Sequence, residues 1–537
     1  MNPPVAKKEY ETKAEEMGAL QRDISISEFF TKNRHLLGFD SPKKALMMSV
    51  KEAVDNSLDA CEEAGILPDI YVEISQVNED RYKLIVEDNG PGIIKEQIPN
   101  IFGKLLYGSK FHRLKMSRGQ QGIGISASIL YGQLTTGKNA HIISKISPKH
   151  PAQYYELHLD TKYNQPKIVS EKEVYFNRES GTRVEFELEA KYQKGKQSVD
   201  EYLKETALSN PHARLSFKDP SGEMMTFPRV VHEEPKQAKE IKPHPYGIEL
   251  GILIRMLHST QARSVKSFLQ EDFSRISSSV AAEICTRASI SALSRPSTIV
   301  RDQAEKLYKA LQETKLMAPP TDCLVPIGDD ALQKGMKKEI DAEFFVSITR
   351  PPAVYRGNPF QIEVGIAYGG NLDKEETIRV IRFANRVPLL YQQGACASTR
   401  ALLDTNWKSY YVNQSKGNLP YGPLVIVIHM VSVWVPFTSE AKEAIANYDE
   451  IIKEMKLALQ DCGRKVASYI RKTVKVREQK ERASLLYSYI KELSRSLGEL
   501  AHTSPDQIEN GLIHYLEKKL PLVHERGENA ENKTETD

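Results

Sequence analysis

The stretch KEAVDNSLDAC, residues 51–61, places Glu52, Asp55, Asn56 and Asp59 within two helical turns. Those positions are i, i+3, i+4 and i+7, so a helix carries them on one stripe. Leu46, Val50, Ala53, Val54, Ser57 and Cys61 fall on the opposite side, the composition of a core-facing surface. Ser41-Pro42 reads as an N-cap with proline at the first helical position, and Gly65 with Pro68 closes the helix. A solvated acidic face usually carries Lys or Arg at i+4 to offset repulsion. The stripe reads as lacking such partners, which suits a pocket that holds a cation better than an open surface.

Downstream, DIYVEISQVNEDRYKLIVEDNG (69–90) alternates apolar and polar residues on both sides of a turn-rich VNED, the pattern of an antiparallel hairpin. It runs into VEDNGPGI (86–93), with Asp88, Gly90 and Gly92. Taken alone this is a tight turn. Beside the acidic helix it becomes a wall where a carboxylate meets exposed backbone, and glycine lets a flat ligand touch the main chain. Asp88 is suited to accept a hydrogen bond from an exocyclic amine, which separates adenine from guanine. SRGQQGIGISASIL (117–130) is not the Walker pattern. It does open a helix, whose N–H groups and positive end cradle phosphate. In ESGTRVEFE (179–187), Gly181 and Thr182 lead another strand.

With AHIISKISP, YYELHLD and TRVEFELE as further strands, the first part of the chain reads as an α/β sandwich ending near residue 230. HEEPKQAKEIKPHP is a charged linker, and residues 246–318 read as a small helical insert. AEFFVSIT, FQIEVGIAYGG, TIRVIRFANRVPLL and PLVIVIHMVSVWVPF supply the strands of a second αβ region. From Glu440 to about Leu497 the pattern is one long charged helix with Gly463 inside it, and LVHERGENAENKTETD reads as a disordered tail. The expected boundaries are 1–24, 25–236, 237–320, 321–500 and 501–537.

A chain of 537 residues with 40% hydrophobic and 27% charged residues has room for about three domains. Its net charge of +3 is too small to announce nucleic acid, so any DNA contact rests on local patches. Five well-separated cysteines without CxxC spacing argue for free thiols rather than a zinc site. The polar N-terminus is no signal peptide, and the longest apolar run is too short and β-branched for a membrane helix. These features describe a soluble, cytoplasmic protein without a membrane partner.

The order E-x-x-D-N-x-x-D-A, D-x-G-x-G, G-x-x-G-x-G and G-T resembles the Bergerat fold of the GHKL ATPases. By that resemblance the cofactors are ATP and Mg²⁺. Glu52 is the general base that activates water for attack on the γ-phosphate, Asn56 coordinates the metal, and Asp55 and Asp59 support them. Asp88 takes the adenine amine. Gly119, Gln120, Gln121, Gly122, Ile123, Gly124 and Ile125 form the phosphate lid, and Gly92, Ser109, Lys110 and Thr182 complete the nucleotide contacts. Over about residues 25–470, stretches such as LLYGSKFHRLKMSRGQQGIGISA, PHPYGIELG, ANRVPLLYQQGACA and NWKSYYVNQ resemble the B-subunit family of type IIB DNA topoisomerases, the topoisomerase VI family.

That family implies an ATPase domain, a helix–two-turn–helix insert and a transducer domain ending in a long helix. It further implies self-dimerisation on ATP, with residues 1–24 as a dimer strap, and an A subunit that cuts double-stranded DNA within an A2B2 assembly. The protein is then nucleoid-associated. A transducer lysine is expected to reach the γ-phosphate: Lys442 in VPFTSEAKEAIA, with Lys416 in NQSKGNLP as competitor. The family pattern has glycine and a more polar approach before that lysine, where this chain has Ala441 and SVWVP. DNA-contact candidates are Lys191, Lys194 and Lys196; Arg255, Arg263 and Lys266; and Trp407 with Lys408. The alternatives are a MutL-like DNA-repair clamp and a non-hydrolysing scaffold.

Overall fold

The computed structural model describes residues 12–19, 21, 24–109, 113–119 and 122–519. Its first layer is an eight-stranded sheet. The strands are β1 (Asp69–Asn78), β2 (Arg81–Glu87), β3 (Ala140–Lys145), β4 (Ala152–Asp160), β5 (Gln165–Val174), β6 (Gly181–Glu189), β7 (Arg214–Lys218) and β8 (Met224–Phe227), in the order β5-β4-β3-β6-β2-β1-β7-β8. β1 and β2 form the expected antiparallel hairpin, while β1 pairs with β7 in parallel.

One face of the sheet is covered by the acidic helix, Pro42–Glu63, with helices Gly124–Thr136 and Val199–Ser209. Ser41 caps the acidic helix by accepting from the Lys44 N–H. Leu46, Val50, Val54 and Leu58 are essentially inaccessible to solvent and join the strand residues in one core. Burial of each such side chain contributes about 1.5–3 kcal/mol, which fixes the helix's rotation and turns its other flank outward.

In the chain between the strands of the two sheets comes a separate four-helix unit, Leu250–Ser259, Val265–Asp272, Ser278–Arg287 and Arg301–Glu313, with its own core around Phe268, Ile284 and Leu307. The second sheet holds β9 (Phe344–Thr349), β10 (Ala353–Tyr355), β11 (Asn358–Tyr368), β12 (Arg379–Ala384) and β13 (Val387–Pro388). β14 (Asn413–Gln414) and β15 (Pro420–Tyr421) form a separate small ribbon, and β16 (Leu424–Ser432) returns to the centre of the sheet. β16 runs antiparallel to β11 and parallel to β12, and all nine of its residues are buried.

The long helix spans Asp449–Ala501, 53 residues, and its first half packs Ile451, Met455, Leu459 and Val466 on this sheet. It starts nine residues later than Glu440, because the chain from 433 to 448 is a loop that carries Lys442. A further helix, Pro505–Lys519, folds back on its end. The tail 522–537 and most of the N-terminal strap fall outside the described residues, although Lys13–Ala19 is helical. No helix among the described residues is long and apolar enough to cross a membrane. All five cysteines are buried and free.

Candidate active site

A cavity of about 840 Å³ lies between the acidic helix, the turn after β2, the glycine-rich segment and the Lys442 loop. Glu52, Asn56, Asp88, Gly92, Ser109, Gly119, Gly122, Ile123, Gly124, Ile125, Thr182 and Lys442 all line it. Lys110, Gln120 and Gln121 lie outside the described residues. Lys416 sits exposed in the β14–β15 turn, away from the cavity wall.

Sheet pairing builds the far wall. Glu87 at the end of β2 stands opposite Arg183 in β6, so the following Asp88 meets the start of β6. Asp88 Oδ1 accepts from the N–H groups of Gly90 (2.9 Å) and Thr182 (3.1 Å), and Oδ2 accepts from Ser57 Oγ at 2.8 Å. Burial pushes this carboxyl above its ordinary range, against those three bonds to the anion. Gly92 has φ +72°, and a Cβ there would stand 2.1 Å from the Lys145 carbonyl oxygen. Glycine is therefore demanded at that corner by the neighbouring strand, before any ligand is considered.

The near wall is the lid. Helix Gly124–Thr136 begins without a side-chain cap, so its first N–H groups are left for an anion. A Cβ on Gly124 would lie 1.7 Å from Glu52 Oε2, which places the lid helix directly on that carboxylate. Gly124→Ala is accordingly expected to displace Glu52 and abolish turnover while nucleotide still binds, as read by parallel hydrolysis and binding assays. Burial pulls the Lys442 ammonium below its ordinary range, with Glu52 opposing. For Glu52 the burial cost is outweighed by Lys51 and Lys442, so the carboxyl is lowered and stays ionised.

Asn56 makes no side-chain hydrogen bond among the described residues, is exposed, and turns its amide into the cavity beside Gly119. One neutral oxygen donor suits magnesium, which takes most of its remaining ligands from phosphates and water.

Two members of the acidic stripe do not face the cavity. Asp55 accepts from Lys51 Nζ at 3.2 Å and from Tyr202 Oη at 3.0 Å. Asp59 accepts from Arg118 at 2.8 Å. The expectation of an unpaired stripe is thus corrected. Lys51, one turn before Asp55, pairs with both Asp55 and Glu52, and a guanidinium from the lid's root pairs with Asp59, so of the stripe Glu52 and Asn56 are the members that line the cavity.

Residues 42–191 match the family model of histidine kinase-, DNA gyrase B- and HSP90-like ATPases, and residues 319–482 match that of the topoisomerase VI B subunit transducer. The B subunit of type 2 DNA topoisomerase 6 from Methanococcoides burtonii is 49% identical over 520 residues, covering 96% of this chain and 84% of that protein. The chain belongs to the topoisomerase VI B-subunit family. The B subunits from Methanosarcina mazei and Archaeoglobus fulgidus are each 48% identical, covering 95% of this chain and 80% and 85% of theirs.

Within this topoisomerase VI B-family chain, the DNA-contact candidates separate. Trp407 is wholly buried, donates Nε1–H to the Leu402 carbonyl at 3.0 Å and packs edge-on against Tyr410. Its place in the second core removes it from any DNA surface, and only Lys408 of that pair is exposed. Lys194 is held by Asp219 and Glu223, both at 2.8 Å, so its charge is locally matched. Lys191, Lys196, Arg255 and Arg263 are exposed, and Lys266 is half-buried.

Sequence reasoning passed over Lys51, Arg118 and the Asn385-Arg386 turn. Arg118 donates to Asp59, Glu62 and Asn210, and its carbonyl accepts from Lys442 Nζ at 3.2 Å. Burial raises the Glu62 carboxyl less than Arg118 and His212 lower it, so it lies well below the usual range. Asn385 donates to the carbonyls of Ser117 and Ser432, both at 3.0 Å, tying the lid's root to the strand that leads to Lys442. The only sequence signal for the lid anchor was an arginine directly before Gly119.

Proposed function

We propose that this chain is the ATP-binding and ATP-hydrolysing subunit of a type IIB DNA topoisomerase, with its reaction centre in the 840 Å³ cavity. The observation that carries the reading is the convergence of Glu52, Asn56 and Asp88 from the first domain and Lys442 from the second on one cavity. Asp88 accepts the adenine amine, and the uncapped lid helix receives the phosphates. Ionised Glu52 removes a proton from water as it attacks the terminal phosphorus; the bond from that phosphorus to the β–γ bridging oxygen breaks, ADP leaves with the bridging oxygen, and inorganic phosphate is formed. Lys442 leaves the Arg118 carbonyl for the γ-phosphate. Magnesium, held by Asn56 and the phosphates, would neutralise phosphate charge there.

Because Lys442 belongs to the second domain, a contact it makes only with the triphosphate favours one relative placement of the two domains. ATP shifts that equilibrium only by its differential affinity for the closed dimer. In this reading two copies close around one duplex while an A subunit, docked on the long helix, opens another. The transducer match at 319–482 favours this over a repair clamp. The test mixes the chain with a candidate A subunit, Mg²⁺-ATP and supercoiled DNA. ATP-dependent relaxation is expected, and nucleotide-independent or absent relaxation overturns the reading.

Asp88→Asn is expected to weaken ATP binding by about 10–100-fold, because an amide offers one acceptor oxygen where three donors already converge. Calorimetry with a non-hydrolysable analogue reads it. Duplex DNA binding is expected to weaken linearly in log–log with salt. Arg255→Ala with Arg263→Ala should reduce that slope by about 2 if both exposed cations meet phosphates.

A further inference from the structure

Lys51 directly precedes Glu52 on the acidic helix, and its side chain is only 5% exposed. A buried ammonium is costly unless it is paired and hydrogen-bonded. Lys51 is paired twice, with Nζ 3.1 Å from Glu52 Oε1 and 3.2 Å from Asp55 Oδ2. Asp55 is held in turn by the hydroxyl of Tyr202, a fully buried residue of helix Val199–Ser209. The result is a file, Tyr202–Asp55–Lys51–Glu52, that starts in the core and ends at the cavity wall.

Neighbouring residues on a helix do not normally face each other, so contact between positions 51 and 52 needs the long lysine chain to curl round. The consequence lies in the two oxygens of Glu52. Oε1 is tied to the ammonium, and Oε2 is the oxygen that a Cβ on Gly124 would strike. One oxygen is anchored and the other is presented at the lid. A base oriented by a third group is the arrangement that activates nucleophiles in hydrolytic sites.

We propose that Lys51 is a positioning residue for Glu52, fixing the carboxylate so that Oε2 faces the attacking water, with Asp55 and Tyr202 fixing Lys51. This rests on the reading of Glu52 as the base. Lys51 itself does not line the cavity, and no bond to it forms or breaks.

The test measures ATP turnover and nucleotide affinity in the full chain. Lys51→Met is expected to lower kcat by roughly 10–100-fold, the size of effect seen when a partner that orients a reactive ligand is lost. KM for ATP should stay within about threefold, as for a contact that matters only in the transition state. Lys51→Arg should restore most of the rate, since a guanidinium can reach both carboxylates. Lys51→Met leaves Asp55 buried and unpaired, so Lys51→Met/Asp55→Asn serves as the variant that removes both charges.

In the Glu52→Gln background, adding Lys51→Met should change residual turnover by less than about twofold, because the two residues act as one unit. A further tenfold fall there, or a parental kcat in Lys51→Met or in the double variant, overturns the proposal for Lys51 alone. A parental rate in Glu52→Gln overturns the base reading itself, which separates the two failures.

Discussion

Glu52→Ala is expected to cost roughly 10²–10⁴ in the ATP hydrolysis rate, the usual contribution of a positioned general base, while ATP binding and dimer closure persist. The geometry separates the two effects. In the proposed reading affinity comes from Asp88, the lid N–H groups and Lys442; the Asp88 bonds to Ser57, Gly90 and Thr182 and the Lys442 bond to the Arg118 carbonyl do not involve Glu52. Removing Glu52 also relieves Lys51 and Lys442 of one carboxylate, but Asp55 still faces Lys51 at 3.2 Å, so the helix keeps its buried pair. Single-turnover hydrolysis beside equilibrium binding of the same nucleotide checks this. Normal turnover would remove Glu52 from the chemistry, and lost binding would recast it as a ligand-holding residue.

The pocket was legible because its parts are local. Helical periodicity over 42–63, the hairpin over 69–87 and the glycine-rich segment opening a helix each occupy one continuous stretch whose spacing carries the geometry. The pairings were not. Asp59 and Arg118 are 59 residues apart, and Asn385 reaches Ser117 across 268 residues, distances at which spacing says nothing. Lys51 is a different matter: it stands four residues before Asp55, a separation that helical spacing does carry, and the pair lies within KEAVD itself.

β5 was missed because it is the edge of its sheet and exposed on most positions, so it has no apolar period to detect. Trp407 misled for the converse reason. Its neighbours in NWKSYY are polar, and the indole is buried in the second core, against whose Trp407–Tyr410 segment the long helix packs.

Lys442→Ala is expected to reduce nucleotide-driven dimer closure by roughly 10²-fold, about 3 kcal/mol, the scale for removing one member of a desolvated charge pair. The substitution isolates the charge. Lys442 has φ +55°, a left-handed backbone that alanine and lysine adopt at similar cost, so the loop has no reason to relax when the side chain is shortened. The same left-handed turn answers the question raised by Ala441, because the position that bends is the lysine itself rather than the residue before it. The strand carrying this loop is clamped to the lid's root by Asn385, so Lys442 and the lid are linked through side chain and scaffold together. Asn385→Ala should therefore weaken closure in the same direction while leaving Lys442 able to bind phosphate. Lys416→Ala should leave closure unchanged, since its side chain sits exposed on a separate ribbon. Analytical ultracentrifugation with a non-hydrolysable ATP analogue compares the three. Loss of closure in Lys416→Ala with retention in Lys442→Ala would transfer the proposed γ-phosphate contact to the other loop.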